Sequence, residues 1–171
     1  HFHFTLRPLA LAAWFGAATA GHAADAPAAE ASLPPVTVSA SGLQLGANEM
    51  TTPVTVLEGD ELVRRREATL GETLNSEPGI TSSHFGAGAS RPIIRGMDGP
   101  RVKVLSDGAE LHDASTMSPD HAVVAEPLLA TQIEVLRGPS ALVHGDGAVG
   151  GVVNVLDGKV PTTVPAKGYE G

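Results

Sequence analysis

Ile133-Glu134-Val135-Leu136-Arg137-Gly138-Pro139-Ser140-Ala141-Leu142, followed by Gly145 and then by Ala148-Val149-Gly150-Gly151-Val152-Val153-Asn154-Val155, is the stretch whose reading decides the fold. Its opening, Ile133-Glu134-Val135-Leu136, is rich in aliphatic and β-branched side chains and reads as a strand. Pro139 to Val143 reads as a helical turn, and Val152-Val153-Asn154-Val155 as a second strand. Between them, Gly145-Asp146-Gly147-Ala148-Val149-Gly150 matches the dinucleotide fingerprint G-x-G-x-x-G letter for letter. That fingerprint works only when a strand precedes it and a helix opens at its end, so that the helix N-terminus meets the pyrophosphate. Here the order is reversed, and the glycines read instead as permitting a tight turn and close backbone packing.

Outward from this stretch the elements stay short. Val54-Thr55-Val56-Leu57 alternates as a strand, and Gly59-Asp60 offers a cap for a helix through Glu61-Leu62-Val63. Thr69 is placed to cap a second helix over 70–75, with Glu72 three positions on as in a capping box, and Pro78-Gly79 stops it. Residues 81–90 are small and polar, hence a loop. Strands are predicted over 92–95 and 102–105 around the turn Gly96-Met97-Asp98-Gly99-Pro100, and Asp107-Gly108 closes the second. Residues 112–123 read as an irregular loop and 126–130 as a short helix. The whole is an α+β pattern: a small domain with a mixed sheet of short strands and helices, assigned to residues 53–157, with a Pro/Gly-rich tail over 158–171.

The N-terminal part is of another kind. Residues 9–20 form an apolar run preceded by Arg7 and followed by small residues, the layout of a secretory signal peptide, with cleavage expected after Ala23. The run is shorter than the roughly 20 residues that a membrane-spanning helix needs. Residues 24–35 are Ala/Pro-rich and too poor in large apolar groups to bury a core, so 24–52 reads as a flexible linker. Within it Val36-Thr37-Val38-Ser39-Ala40 is a short β-prone run, either disordered or waiting to be added to another protein's sheet edge. The formal charge of -8 argues against nucleic acid, whose phosphates demand a basic patch. Absence of Cys excludes disulfides and thiolate metal sites. No nucleophile–base constellation of the kind enzymes use is visible.

Read together, the deciding stretch resembles the closing motif of the plug domain of TonB-dependent outer-membrane receptors, IEVLRGPSSxLYGxxAxGGVINI. Three further segments agree in order and spacing. Val36 to Ala40 looks like the Ton box; Thr69-Leu70-Gly71-Glu72-Thr73-Leu74 with Pro78-Gly79-Ile80 is similar to the family's LxExLxxxPGV helix. Ile93-Ile94-Arg95-Gly96 with Arg101-Val102-Lys103-Val104-Leu105-Ser106-Asp107-Gly108 is similar to its IRG…RVxVLxDG strands. This chain has His144 where the family commonly has Tyr, with Asp146 following. It also stops where the family's barrel begins, so a truncated receptor, a gene fragment and a plug made alone all stay open, as does a free-standing periplasmic binding module.

The resemblance implies a gate rather than an enzyme. A plug closes the barrel lumen, cargo docks on its outer loops, and TonB pairs with the released Ton box by strand addition. It implies outer-membrane placement with a barrel, or a periplasmic one for a plug made alone. No cofactor is required. Arg95, Gly96, Arg101, Arg137, Gly138, Gly150 and Gly151 carry the plug's structural motifs, the arginines by ion pairs within the plug and to the barrel wall. Ser90-Arg91-Pro92-Ile93-Ile94-Arg95-Gly96 with Asp120-His121-Ala122-Val123 looks most like the zinc-uptake subgroup, which makes zinc a possible transported ligand held by Asp120 and His121. His112 and Asp113 are weaker additions from the same loop, since zinc usually takes about four ligands. The remaining cargo classes are heme, siderophores and cobalamin.

Overall fold

The computed structural model describes residues 37–41, 46–138 and 141–158; the predicted leader 1–23, residues 24–36 and the tail beyond 158 lie outside the described residues. In chain order the elements are β1 (Val54–Glu58), α1 (Gly59–Arg65), α2 (Leu70–Leu74), β2 (Ile80–Ser82), β3 (Pro92–Ile94), β4 (Val102–Ser106), β5 (Ala109–Glu110), β6 (Gln132–Arg137), α3 (Ala141–His144) and β7 (Gly151–Leu156). Three 3₁₀ turns, Ala47–Glu49, Gly99–Arg101 and Ala114–Thr116, lie between them. No helix among the described residues is long and apolar enough to cross a membrane.

The deciding stretch supplies the centre of the main sheet. Its order is β1-β6-β7-β4-β5, and β4 runs parallel to β7 while the other pairs are antiparallel, so the sheet is mixed as the pattern predicts. β2 and β3 form a separate two-stranded hairpin in register Ile80↔Ile94. β6 and β7 are buried along nearly their whole length, so both of their faces are covered.

Strand alternation divides the side chains between two layers. One face carries Ile133, Val135, Val153, Val155, Val102 and Val104 under Leu62 of α1, Leu70 and Leu74 of α2, and Ile80 and Ile94 of the hairpin. The other face carries Leu136, Val152 and Leu105 under Val38, Ala40 and Ala148, with Ala47, Met50, Val54 and Val56 at its margin. In the middle of this second face sit two polar residues opposite each other in register, Glu134 and Asn154.

Local chemistry explains the ends. The Thr69 hydroxyl accepts the Glu72 N–H at 3.2 Å and donates to the Glu72 carboxylate, which starts α2 as the capping pattern predicts. The fingerprint glycines serve close packing: a Cβ on Gly147 would stand 2.6 Å from the Pro100 carbonyl oxygen. At Gly151, with φ +150°, it would meet the Leu136 carbonyl oxygen at 2.3 Å. The segment follows α3 and leads into β7, the reverse of the order a pyrophosphate site requires.

Four expectations are corrected. Packed structure begins before Pro53: residues 37–41 and 46–50 lie on the sheet, so the flexible reading of 24–52 fails for them, because Val38 and Ala40 find an apolar seat distant in sequence. Thr81 and Ser82 belong to β2 rather than to a loop, drawn into pairing by buried Ile80. Residues 126–130 make one turn with bonds of the i→i+3 kind, Leu129 N–H to Glu126 and Ala130 N–H to Pro127. A single turn with Leu128 and Leu129 exposed has no packed face to repay helix nucleation. Arg95 lies past the end of β3, at φ +51° in a tight turn closed by the Ile94–Met97 backbone pair.

Candidate functional site

Residues 37–40 of the 36–40 segment are seated on the sheet; Val36 lies outside the described residues. Ser41 N–H bonds to the Val38 carbonyl oxygen at 3.2 Å, so residues 38–41 close a turn rather than an extended strand. Val38 and Ala40 point into the second layer, at 0% and 3% exposure. The backbone of the turn faces the carboxylate of Glu134. Ser39 N–H donates to one oxygen at 2.6 Å and Ala40 N–H to the other at 2.8 Å.

Glu134 is fully buried and takes four donors. Gln132 Nε2 adds a bond to the first oxygen at 2.9 Å and Asn154 Nδ2 one to the second at 3.0 Å. A carboxylate offers about four lone-pair sites on two oxygens, and here each oxygen has two partners. Among the described residues Glu134 makes no ion pair, and its four partners there are neutral N–H donors. A buried carboxylate without partners is very costly, which makes the turn's two N–H groups part of the sheet's own electrostatics. Two further bonds fix the seat: Gln132 Nε2 donates to the Thr37 carbonyl oxygen at 3.2 Å and the His144 ring to that of Ala40 at 2.9 Å. Asn154 is itself held by Gly108 N–H at 2.9 Å.

A second cluster forms where the loops after β2 and after β3 meet the Ala114–Thr116 turn and the residues that follow it. A cavity of about 230 Å³ there is lined by Ser83, Arg91, Asp98, Ser115, Met117 and Pro119 among others. Arg91 is buried at its wall, bonded to the Ser115 hydroxyl, to the Val102 carbonyl oxygen at 3.3 Å and to Asp113 at 3.5 Å. Burial pulls its guanidinium below the ordinary arginine value, opposed by the nearby charges of Asp113 and Asp98. Asp113 also accepts from Val124 N–H at 3.2 Å. Its carboxylate is thus engaged by Arg91 and by the loop.

Asp120 and His121 lie near this cluster on the same loop, half exposed, with Asp120 Oδ1 and His121 Nδ1 3.1 Å apart. The Ser118 hydroxyl, then the backbone and His121, hold the Asp120 carboxyl below the usual aspartate range. His112 is exposed and joins no metal cluster: no group of three or more metal-ligating side chains occurs among the described residues.

The motif arginines divide. Arg137 Nη2 reaches Glu77 at 3.4 Å, and Arg65 pairs with the other oxygen of the same buried carboxylate. Arg95 and Arg101 are exposed, and neither forms an ion pair among the described residues. Gly138 N–H bonds to the Gly150 carbonyl oxygen at 3.0 Å, and Gly150 N–H to that of Arg101 at 2.9 Å, so these positions stitch the ends of β4, β6 and β7 together. Glu134, Gln132, Asn154, Arg91 and Glu77 were not singled out from sequence. The usable signal is a polar residue set among apolar ones in each of two central strands, Glu134 between Ile133 and Val135 and Asn154 between Val153 and Val155.

The comparisons with known proteins agree with this architecture. Residues 47–152 match the sequence profile of the family described as TonB-dependent Receptor Plug Domain. A hemin receptor of Yersinia pestis is 32% identical over 117 residues, covering 68% of this chain and 17% of the receptor. The siderophore receptor PirA of Acinetobacter baumannii superposes with a TM-score of 0.51 at 25% identity, over 63% of this chain and 17% of that one. A ferric enterobactin receptor variant of Pseudomonas aeruginosa gives 0.53 at 21% identity, over 72% of this chain and 19% of that one, a likeness of fold alone. This chain therefore spans under a fifth of the length of these relatives, and it belongs to the TonB-dependent receptor plug-domain family.

Proposed function

We propose that this chain is the gate and energy-coupling end of a TonB-dependent outer-membrane receptor that takes up an iron-bearing cargo, heme or a siderophore. The family match over residues 47–152 carries the reading, and the names of the relatives, a hemin receptor and a siderophore receptor, favour those cargoes. In this reading the sheet and its two covered faces obstruct the lumen of a barrel. The loops around Arg91 and Asp120–His121 meet the cargo, and residues 36–40 are the Ton box through which TonB pulls by strand addition. The work is mechanical and needs no catalytic group. Zinc as cargo keeps only the Asp120–His121 pair, because Asp113 is committed to Arg91 and zinc usually takes about four ligands.

The test uses the receptor with its barrel. Removal of residues 36–40 should abolish capture of the TonB periplasmic domain and leave cargo binding intact; unchanged capture would remove the Ton box assignment. Hemin, a ferric catecholate siderophore and zinc are then titrated separately. Saturable hemin or ferric-siderophore binding supports the cargo reading. Zinc binding that disappears in Asp120→Ala/His121→Ala, with neither iron ligand bound, overturns it.

A further inference from the structure

We infer that Glu134 is a latch that holds the 38–41 turn in a form no partner strand can use, and so sets how readily this segment is handed over. This rests on the reading of residues 36–40 as the segment TonB takes. Strand addition needs an extended backbone whose N–H and C=O groups alternate outward to meet the incoming edge. In the seated form the backbone is instead folded by the Val38–Ser41 bond, and two consecutive N–H groups, of Ser39 and Ala40, converge on one carboxylate. Consecutive N–H groups of a strand point to opposite sides and cannot both meet one carboxylate, so a partner cannot pair with this segment until at least one of the bonds to Glu134 breaks. The carbonyl groups are engaged as well, Thr37 by Gln132 and Ala40 by His144.

The arrangement is selective for backbone. Glu134 has no cationic partner among the described residues, and its two remaining donors, Gln132 and Asn154, leave one site open on each oxygen for the arriving N–H groups. Departure of the turn strips a buried carboxylate of half its hydrogen bonds, and the segment's return restores them. Apolar contact by Val38 and Ala40 adds grip without direction, whereas the carboxylate specifies which two peptide groups are held.

Glu134→Gln tests the latch with least change of shape. One oxygen still accepts an N–H, but the amide nitrogen opposes the other donor. Hydrogen exchange is followed in the whole receptor chain, together with its affinity for the TonB periplasmic domain. Exchange at the Ser39 and Ala40 amides should quicken roughly tenfold or more in E134Q, as loss of a charge-assisted bond predicts. The Val135 and Val153 amides should stay as protected as before, and TonB affinity should rise by a similar factor. Unchanged exchange at Ser39 and Ala40 with the core protected overturns the latch. Faster exchange with no binding of TonB by either form upholds the latch and overturns the assignment of its partner. Should E134Q fail to fold, Gln132→Ala decides. It removes the bond to Thr37 and one of the four to Glu134 from a half-buried strand-end residue, and exchange at 39–40 should still rise about threefold; no rise overturns the latch.

Discussion

The two faces of the central sheet are built by opposite means from the same strands. On one, α1, α2 and the β2–β3 hairpin lay Leu62, Leu70, Leu74, Ile80 and Ile94 over the apolar side chains of Ile133, Val135, Val153 and Val155. On the other, an apolar rim surrounds Glu134 and Asn154, and the cover is a single turn of chain whose backbone supplies the missing hydrogen bonds. A dry, interdigitated layer is non-directional and hard to open. A layer keyed to two N–H groups is specific, and the key can be withdrawn while the strands remain paired. On the proposed reading, a plug that stays folded while part of it is handed to a partner would use both kinds of face.

The largest effect that would sharpen this contrast belongs to the dry face. Leu74 is fully buried, and Leu74→Ala should cost about 2–5 kcal/mol, since the cavity cannot collapse under a helix pinned at Thr69. Denaturant unfolding should show the whole loss in one transition, with exchange faster throughout β6 and β7. A loss confined to α2 would mean that the helical layer is a separate unit, and the contrast between faces would fail.

Val38→Ala is the matching change on the keyed face. Two buried methyl groups are worth roughly 1.5 kcal/mol, but the loss is capped by the free energy of seating the turn, beyond which the turn simply leaves. Exchange should rise at residues 37–41 and 46–50 while β6 and β7 keep their protection. A global loss as large as that of Leu74→Ala would show that the turn is part of the core, and a releasable cover would be excluded.

How much of this contrast is legible in sequence follows from how far apart the contacting residues lie. The strands, the Thr69–Glu72 cap and the crowded glycines are set by neighbours within a few positions, so patterns of two, three or four residues reveal them. Glu134 is different. Alternation places it on the face opposite Ile133 and Val135, which by itself reads as the solvent side of a strand, and nothing local says that this side is covered. Its cover lies 95 positions away, in a run that composition assigns to a linker. The partner of Asp113 is hidden for the same reason: only the fold brings buried Arg91 against it. Asp120 and His121, adjacent in sequence, meet each other without help from the fold.

The smallest effect concerns the margin of the keyed face, where Lys103 of β4 pairs with Glu110 of β5. The Lys103 hydrogen bond is the chief cause that lowers the Glu110 carboxyl below its ordinary value near 4.5, opposed by partial burial. A folded-state value depressed below the unfolded one contributes stability that is complete above about pH 4.5 and lost as pH falls through the lower folded value. Exposure and screening limit the contribution to on the order of a few tenths of a kcal/mol. Glu110→Gln should therefore lower stability slightly at pH 7, and the difference should shrink as pH falls below about 4.5, when melting is followed at low salt. Raising the salt to about 1 M should erase most of the difference at pH 7, because a surface pair is screened where the buried Glu134 seat is not. If the same salt also freed the 38–41 amides, the keyed face would be held by screened surface charge instead of by its buried carboxylate.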